Sequence, residues 1–190
     1  RTKCAIGTGY GSQHSMDPSG LFSLYPGWRI VAPSTPFDYV GLMNTALRCN
    51  DPVLVIEHVE LFQSRGPEAR DDPDHCLPFG RARIVRRGTA CTVLAAAAMV
   101  KASADAAAEA GIDAEIIDLR TLDPLGLDWA TVSARLFLPA RTFGASVNML
   151  NNWNSPRNTK FLRLLASVVL TPEPLKKPVV SFRLNALLNF

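Results

Sequence analysis

Cysteine is scarce and unpaired in this 190-residue chain: Cys4, Cys49, Cys76 and Cys91 stand 45, 27 and 15 residues apart, with no Cys-x-x-Cys. Such spacing excludes a disulfide scaffold and the common zinc frameworks, and points to reduced thiols in a cytoplasmic setting. Long apolar runs are missing too. The richest, residues 91–100, is half of the roughly 18 to 20 residues that a membrane-crossing helix needs, so a spanning helix and a membrane partner are not expected. The opening Arg1-Thr2-Lys3 has neither an initiator methionine nor a charged-then-apolar leader, and is read as the start of a fragment or processed product.

Acidic residues are missing from one end. Residues 1–133 carry 12 basic and 16 acidic side chains, whereas residues 134–190 carry 8 basic side chains and Glu173 alone. Balances of −4 and +7 add to the net +3, and seven of the nine asparagines also lie after residue 133. A compositional break of this kind marks a domain boundary, a basic interaction tail or foreign sequence. Trp153, Phe161 and Phe182 among the basic residues invite a nucleic-acid reading. No recognised module accompanies them, and a scattered positive charge is usually a solvated face, so nucleic acid is not an expected partner.

At 47% hydrophobic and 19% charged, the composition is that of a folded chain. Residues 29–32 form a short β-rich run, after which Thr35 and Pro36 suit the N-cap and first position of a helix. That helix extends to about residue 48, with Val40, Met43 and Leu47 along one stripe, and Asn50-Asp51-Pro52 stops it. Residues 53–56 are continuously apolar, as expected of a strand buried on both faces. Residues 60–78 are polar and aperiodic and read as a loop. Beyond it, strands are expected at 81–85, 91–94 and 114–119, an Ala-rich helix within 95–110 closed by Gly111, and a short helix at 127–132. This alternation predicts an α/β fold of predominantly parallel sheets with flanking helices.

Chemistry-bearing residues are few. His14 follows the glycines Gly7, Gly9 and Gly11, where a backbone could approach a ligand and an imidazole could move a proton near neutral pH. The G-x-G-x-G spacing is not a dinucleotide fingerprint, and no strand of adequate length is evident before it, so a ligand-proximal loop and a plain glycine-rich turn both stand. Asp17-Pro18 reads as the N-cap and first position of a helix through residues 21–24 that would fix the loop. Glu57-His58, at the end of a buried strand, is a second candidate, although a polar pair marking the strand's exit from the core is the favoured reading. His75-Cys76 has no partner at zinc spacing, and metal binding is not expected there.

Three longer runs occur in order: Gly11-Ser12-Gln13-His14-Ser15; Tyr25-Pro26-Gly27-Trp28-Arg29-Ile30-Val31-Ala32-Pro33-Ser34-Thr35-Pro36; and Asp51-Pro52-Val53-Leu54-Val55-Ile56-Glu57-His58. Pro78-Phe79-Gly80-Arg81-Ala82, the strand at Thr92-Val93-Leu94 and the run Ile112-Asp113-Ala114-Glu115-Ile116-Ile117-Asp118-Leu119-Arg120-Thr121-Leu122-Asp123-Pro124-Leu125 follow. Over residues 1–133 the chain resembles the beta subunits of thiamine diphosphate-dependent 2-oxo acid dehydrogenases, of the pyruvate, acetoin and branched-chain type.

The resemblance implies an incomplete transketolase-like architecture: residues 1–79 as the second half of a pyrimidine-binding domain, residues 80–133 as the start of a C-terminal domain, and residues 134–190 as an unmatched basic tail. It implies an alpha subunit that holds most of thiamine diphosphate and its magnesium, a beta–beta contact in a heterotetramer, and a lipoyl-bearing acyltransferase as acyl acceptor. The cofactor's thiazolium carbon would perform the carbanion chemistry of oxidative decarboxylation. His14 falls on the family's active-site histidine, whose implied role is proton delivery or hydrogen bonding during reductive acylation of the lipoyl group. The glutamate that activates the aminopyrimidine ring would lie upstream of Arg1, so a chain inactive by itself is expected, or alternatively a non-catalytic oligomerisation or binding module derived from the family. The family's potassium site matches Ala46, Cys49 and Asp51, although many relatives carry Asp where this chain has Cys49. Where relatives show Thr-Tyr-Gly or a similar turn, this chain has Ala95-Ala96-Ala97-Ala98. The tail, lacking the family's next strand and helix, is read as an altered reading frame, a fusion or a truncated product.

Overall fold

A computed structural model describes residues 1–6, 8–66, 72, 74–136 and 141–144, with backbone alone at 136 and 141–144. Gly7 and most of the basic tail, with Trp153, Phe161 and Phe182, lie outside the described residues. The elements run β1 (Thr2–Cys4), α1 (Ser12–Ser15), α2 (Ser19–Phe22), β2 (Arg29–Val31), α3 (Pro36–Arg48), β3 (Val53–His58), β4 (Arg83–Arg86), β5 (Cys91–Ala95), α4 (Ala98–Glu109), β6 (Ala114–Asp118), α5 (Trp129–Leu136) and β7 (Arg141–Gly144).

They build two open sheets. The first is parallel throughout, in the order β1-β3-β2, and the second has the order β4-β6-β5-β7 with only β4 antiparallel. The predominantly parallel α/β expectation therefore holds. β3 is central and its Leu54, Val55 and Ile56 are buried, which is why the run carries no polar alternation. α3 begins where Thr35 accepts the backbone N–H of Asp38 and Pro36 occupies the first turn. Its Leu42 closes a core with Val31 and Val55. Gly41 is required by packing, since a Cβ there would meet the Leu77 side chain at 2.6 Å and His75 Nε2 at 2.8 Å. In the second sheet, α4 lays Met99, Val100 and Ala107 against Val93 and Ile116. Gly111, at φ +65°, follows the end of α4, as the helix stop requires.

Several local expectations change. A three-residue strand, β1, does precede the glycine-rich turn; paired to β3 in register Thr2 to Ile56, it draws its stability from its neighbour and carries no pattern of its own. His14 lies in the one-turn helix α1, not in a loop. Pro18, not Asp17, is the N-cap of α2, which ends at Phe22, and Asp17 accepts the N–H of Ser19 through its side chain. The loop expected from residue 60 opens with a single 3-10 turn, Val59–Leu61. The second sheet also runs past residue 133, because α5 reaches Leu136 and β7 pairs in parallel with β5.

The two sheets meet along one seam. Ala32 N–H donates to Arg120 O at 2.9 Å, Leu122 N–H donates to Ile30 O at 2.8 Å, and Val31 and Thr121 form an antiparallel bridge.

Candidate functional site

Parallel strands gather the residues that follow them at one edge of a sheet, and functional groups collect there. At the carboxyl edge of the first sheet stand the turn carrying His14 after β1, Pro33-Ser34-Thr35 after β2, and His58 at the end of β3. His14 is held through its backbone, since Ala5 N–H donates to His14 O at 2.9 Å and ties α1 to the end of β1. Gly9 and Gly11, at φ near +80°, make the reversal on which that contact depends. The imidazole itself is exposed and makes an edge-type contact with Tyr10, with ring centroids 6.4 Å apart.

Glu57 and His58 are adjacent but do not work together, because successive residues of a strand point to opposite faces. Glu57 accepts from Arg1 Nε at 2.6 Å and from the Tyr39 hydroxyl at 2.7 Å. Burial works to raise its pKa, but these hydrogen bonds and the Arg1 charge outweigh it and hold the carboxyl below its usual range. Tyr39 is pushed up to about 12, by burial first and by the Glu57 bond second. His58 turns inward, is only 5% exposed, and neither ring nitrogen has a partner among the described residues. Burial lowers its pKa, against the opposing pull of Glu60 and Asp17. The ring borders two cavities: an open cleft of about 670 Å³ with Lys3, Thr35, Tyr39 and Phe62 in its wall, and a pocket of about 200 Å³ at the seam, with Cys4, Asp17, Ala97 and Met99.

The proposed cation residues lie at the opposite edge, in the turn that leads from α3 into the start of β3. Ala46, Cys49 and Asp51 are brought together, but they are engaged with protein groups. Ala46 O accepts the Cys49 N–H, the Asp51 N–H donates to the Cys49 sulfur, and the Asp51 carboxylate accepts from Arg29 Nε at 2.9 Å. With Arg29 already supplying the cation, the side chains do not fit a potassium site as they stand. Among the described residues no cluster of three or more His, Cys, Asp and Glu is placed to hold a metal. His75 packs on Phe37 with Nε2 3.1 Å from its carbonyl, and Cys76 accepts from Arg48, so both are structural.

For thiamine diphosphate the test is enclosure, since a charged diphosphate must be surrounded by donors to leave water. His14 lines neither cavity, so neither of them would place a bound thiamine diphosphate against that imidazole.

The sequence pattern gave no sign of the polar cluster inside the seam. Asp38 and Asp118 are both 0% exposed, and Ser34, Arg83 and Arg120 bind them. The one available clue was a strand that ends in Asp118 followed by Arg120, charges too close to a buried run to be surface residues.

The architecture is that of transketolase-type domains. Residues 1–64 match the transketolase pyrimidine binding domain and residues 80–137 the transketolase C-terminal domain, so these two segments belong to those domain families. Among solved structures, a split-gene transketolase described as an inactive beta4 tetramer superposes with TM-score 0.58 at 21% identity, over 75% of this chain and 46% of that one. A transketolase from Leishmania mexicana gives 0.55 at 19% identity, over 77% of this chain and 22% of that one.

The curated relatives make the particular family plain. The chain is 41% identical over 133 residues to the beta subunit of acetoin:2,6-dichlorophenolindophenol oxidoreductase from Cupriavidus necator, covering 66% of this chain and 38% of that protein. It is 40% identical over 118 residues to the pyruvate dehydrogenase E1 beta subunit of Bacillus subtilis, covering 60% and 36%. It is 36% identical over 150 residues to the 2-oxoisovalerate dehydrogenase beta subunit of Pseudomonas aeruginosa, covering 71% and 43%. The chain is thus a homologue of the beta subunits of 2-oxo acid dehydrogenases, as its motifs indicate, and spans about two fifths of their length.

Proposed function

We propose that this chain is part of the beta subunit of a thiamine diphosphate-dependent 2-oxo acid dehydrogenase, the part that presents His14 to the acyl-transfer step. The observation that carries the reading is Gln13-His14-Ser15, on an exposed turn at the carboxyl edge of a parallel sheet, within a region about 40% identical to such subunits. Residues 1–79 are the second half of a pyrimidine-binding domain and residues 80–133 the start of a C-terminal domain. His14 donates a proton or hydrogen bond to the lipoyl group of an acyltransferase. That role needs an imidazole that reaches its target within about 3 Å, which an exposed ring permits.

An alpha subunit holds the diphosphate and its magnesium, in a cytoplasmic heterotetramer with a beta–beta contact. Potassium has no part in the reading, since Asp51 already carries Arg29. No helix among the described residues is long and apolar enough to cross a membrane.

By itself the 190-residue chain neither binds thiamine diphosphate with magnesium at micromolar affinity nor decarboxylates pyruvate or branched-chain 2-oxo acids. Isothermal titration and a turnover assay check this, and binding with turnover by the chain alone refutes it. In a complete alpha–beta assembly, His14→Ala impairs lipoyl acylation more than cofactor binding; unchanged acyl transfer removes the histidine from the mechanism. A second reading, a non-catalytic oligomerisation module, is supported by Tyr10, Met16, Leu21, Leu24 and Tyr25, large apolar residues exposed around the His14 turn. A discrete homo-oligomer that ignores the alpha subunit would favour it.

A further inference from the structure

The seam between the sheets is built around two carboxylates. Asp38, in the first turn of α3, accepts from Arg120 Nη2 at 2.5 Å, from Arg83 Nη2 at 3.0 Å and from the Thr35 hydroxyl at 2.6 Å. Asp118, the last residue of β6, accepts from the Ser34 hydroxyl at 2.5 Å and from the Arg120 backbone N–H at 3.2 Å. Two groups are shared. Arg83 Nη2 lies 3.4 Å from Asp118 Oδ2 as well, and Ser34 Oγ lies 3.4 Å from Asp38 Oδ2. The same Oδ2 atoms of the two acids therefore converge on one guanidinium nitrogen and one hydroxyl, with both acids themselves fully buried and Arg83 reaching them from a partly exposed position.

This arrangement crosses from one sheet to the other. Ser34, Thr35 and Asp38 come from the first unit, Arg83, Asp118 and Arg120 from the second. Arg120 takes φ +59°, and its carbonyl accepts the Ala32 N–H at the seam, so the backbone that carries the cluster also carries the bond between the sheets. We propose that the Asp38–Asp118 pair is a proton-sensitive latch, which holds the two sheets together more tightly in mild acid than at neutral pH. Two buried carboxylates that share a donor repel one another, and a proton taken up by Asp118 relieves the repulsion while Asp38 keeps its arginines. The charged groups facing Asp118 are Asp38, Arg83 and Arg120. Burial is the main influence raising its pKa and Asp38 adds to it, whereas the Ser34 bond and the two arginines oppose without cancelling them.

An acid whose pKa is raised by docking binds its proton more tightly in the docked state. Its contribution is full below the ordinary aspartate value of about 3.9 and is lost as pH rises through the folded-state value. The test is amide hydrogen exchange on the full 190-residue chain between about pH 7 and about pH 5, corrected for intrinsic rates, with the Ala32 and Leu122 amides reporting the seam and Ile116 as a control within the second sheet. Each unit by which the folded-state value exceeds the lower pH of the comparison adds up to about a tenfold gain in seam protection on acidification, with no matching gain at Ile116. Asp118→Asn keeps the Ser34 and Arg120 contacts without a titrating proton, and its seam protection does not rise with acid. A carboxyl-carbon NMR titration of the unmutated chain is a second readout, in which Asp118 titrates above the ordinary aspartate range. A seam that gains nothing in mild acid, an equal gain in Asp118→Asn, or an Asp118 carboxyl that titrates at or below the ordinary value overturns the latch.

Discussion

The first unit turns several polar groups of its strands and of α3 to the second, whereas the second caps more of its own turns, although Arg83 Nε, Ser103 Oγ and Arg120 Nε are buried there without a partner among the described residues. In the first sheet the backbone N–H of Ile30 and the guanidinium of Arg29 both turn to Asp123, Asp38 turns to Arg83 and Arg120, and His58 is likewise buried without one. In the second sheet Asp113 caps the Thr89 turn, Asp128 caps Thr131 at the head of α5, and Glu115 pairs with Arg135. Both sheets are open, with β1 and β2 pairing on one side only in the first and β4 and β7 in the second, but the first has three strands against four. Fewer strands leave the first unit, which carries His14, more reliant on the seam for its stability.

The comparison breaks most visibly at Asp38. Asp38→Ala leaves the buried Arg120 and the partly exposed Arg83 beside a single carboxylate, and the loss of one partner from a buried ion-pair network costs about 3 to 5 kcal/mol. Urea denaturation measures the loss, and hydrogen exchange locates it: amides of β2 and β3 should deprotect more than those of β5 and β6. Uniform deprotection would mean that the first unit is no more dependent than the second. A smaller effect of opposite sign is expected in the second unit, at Ala97. It sits at φ +49° and ψ −132°, a backbone region that suits glycine, at the head of α4 with no side-chain cap. Ala97→Gly should stabilise by about 1 kcal/mol, the relieved strain exceeding glycine's extra freedom in the unfolded chain. A thermal melt that moves downward removes the strain argument.

Much of this framework was legible in the residues. The apolar run at residues 53–56, the Thr35-Pro36 helix start and the glycine after the Ala-rich helix are local signals, and the elements fall within one or two residues of where those signals put them. β1 escaped because a three-residue strand takes its conformation from β3 and not from its own pattern. The seam cluster escaped for a related reason: Ser34, Asp38, Arg83, Asp118 and Arg120 are spread over almost ninety positions, and only Asp118 and Arg120, beside a buried run, stand out from ordinary caps and surface charges. His14 was visible as a motif, and the chain's own geometry adds that its ring is exposed and outside both cavities.

The smallest expected effect sharpens the comparison most, because it has a pH signature of its own. Burial lowers the His58 pKa, so the unfolded chain takes up this proton before the folded one does. Stability contributed by the neutral ring is therefore lost as pH falls from about 6.5 toward the lower folded-state value, at about 1.4 kcal/mol for each unit of depression. This slope is opposite in sign to that of Asp118. It also precedes the loss from Glu57 and Asp128, whose lowered pKa values keep their contribution intact until pH falls below the ordinary carboxylate range. His58→Leu fills a similar volume between Cys4 and Ile56 and leaves no unpartnered nitrogen, so the variant should be at least as stable at neutral pH and lose the His58 decline between about pH 6.5 and pH 5, keeping only the opposite slope of Asp118. Urea midpoints taken across that range decide the matter. A variant that declines as steeply as the parent would place the acid sensitivity elsewhere and return His58 to the ordinary residues of the core.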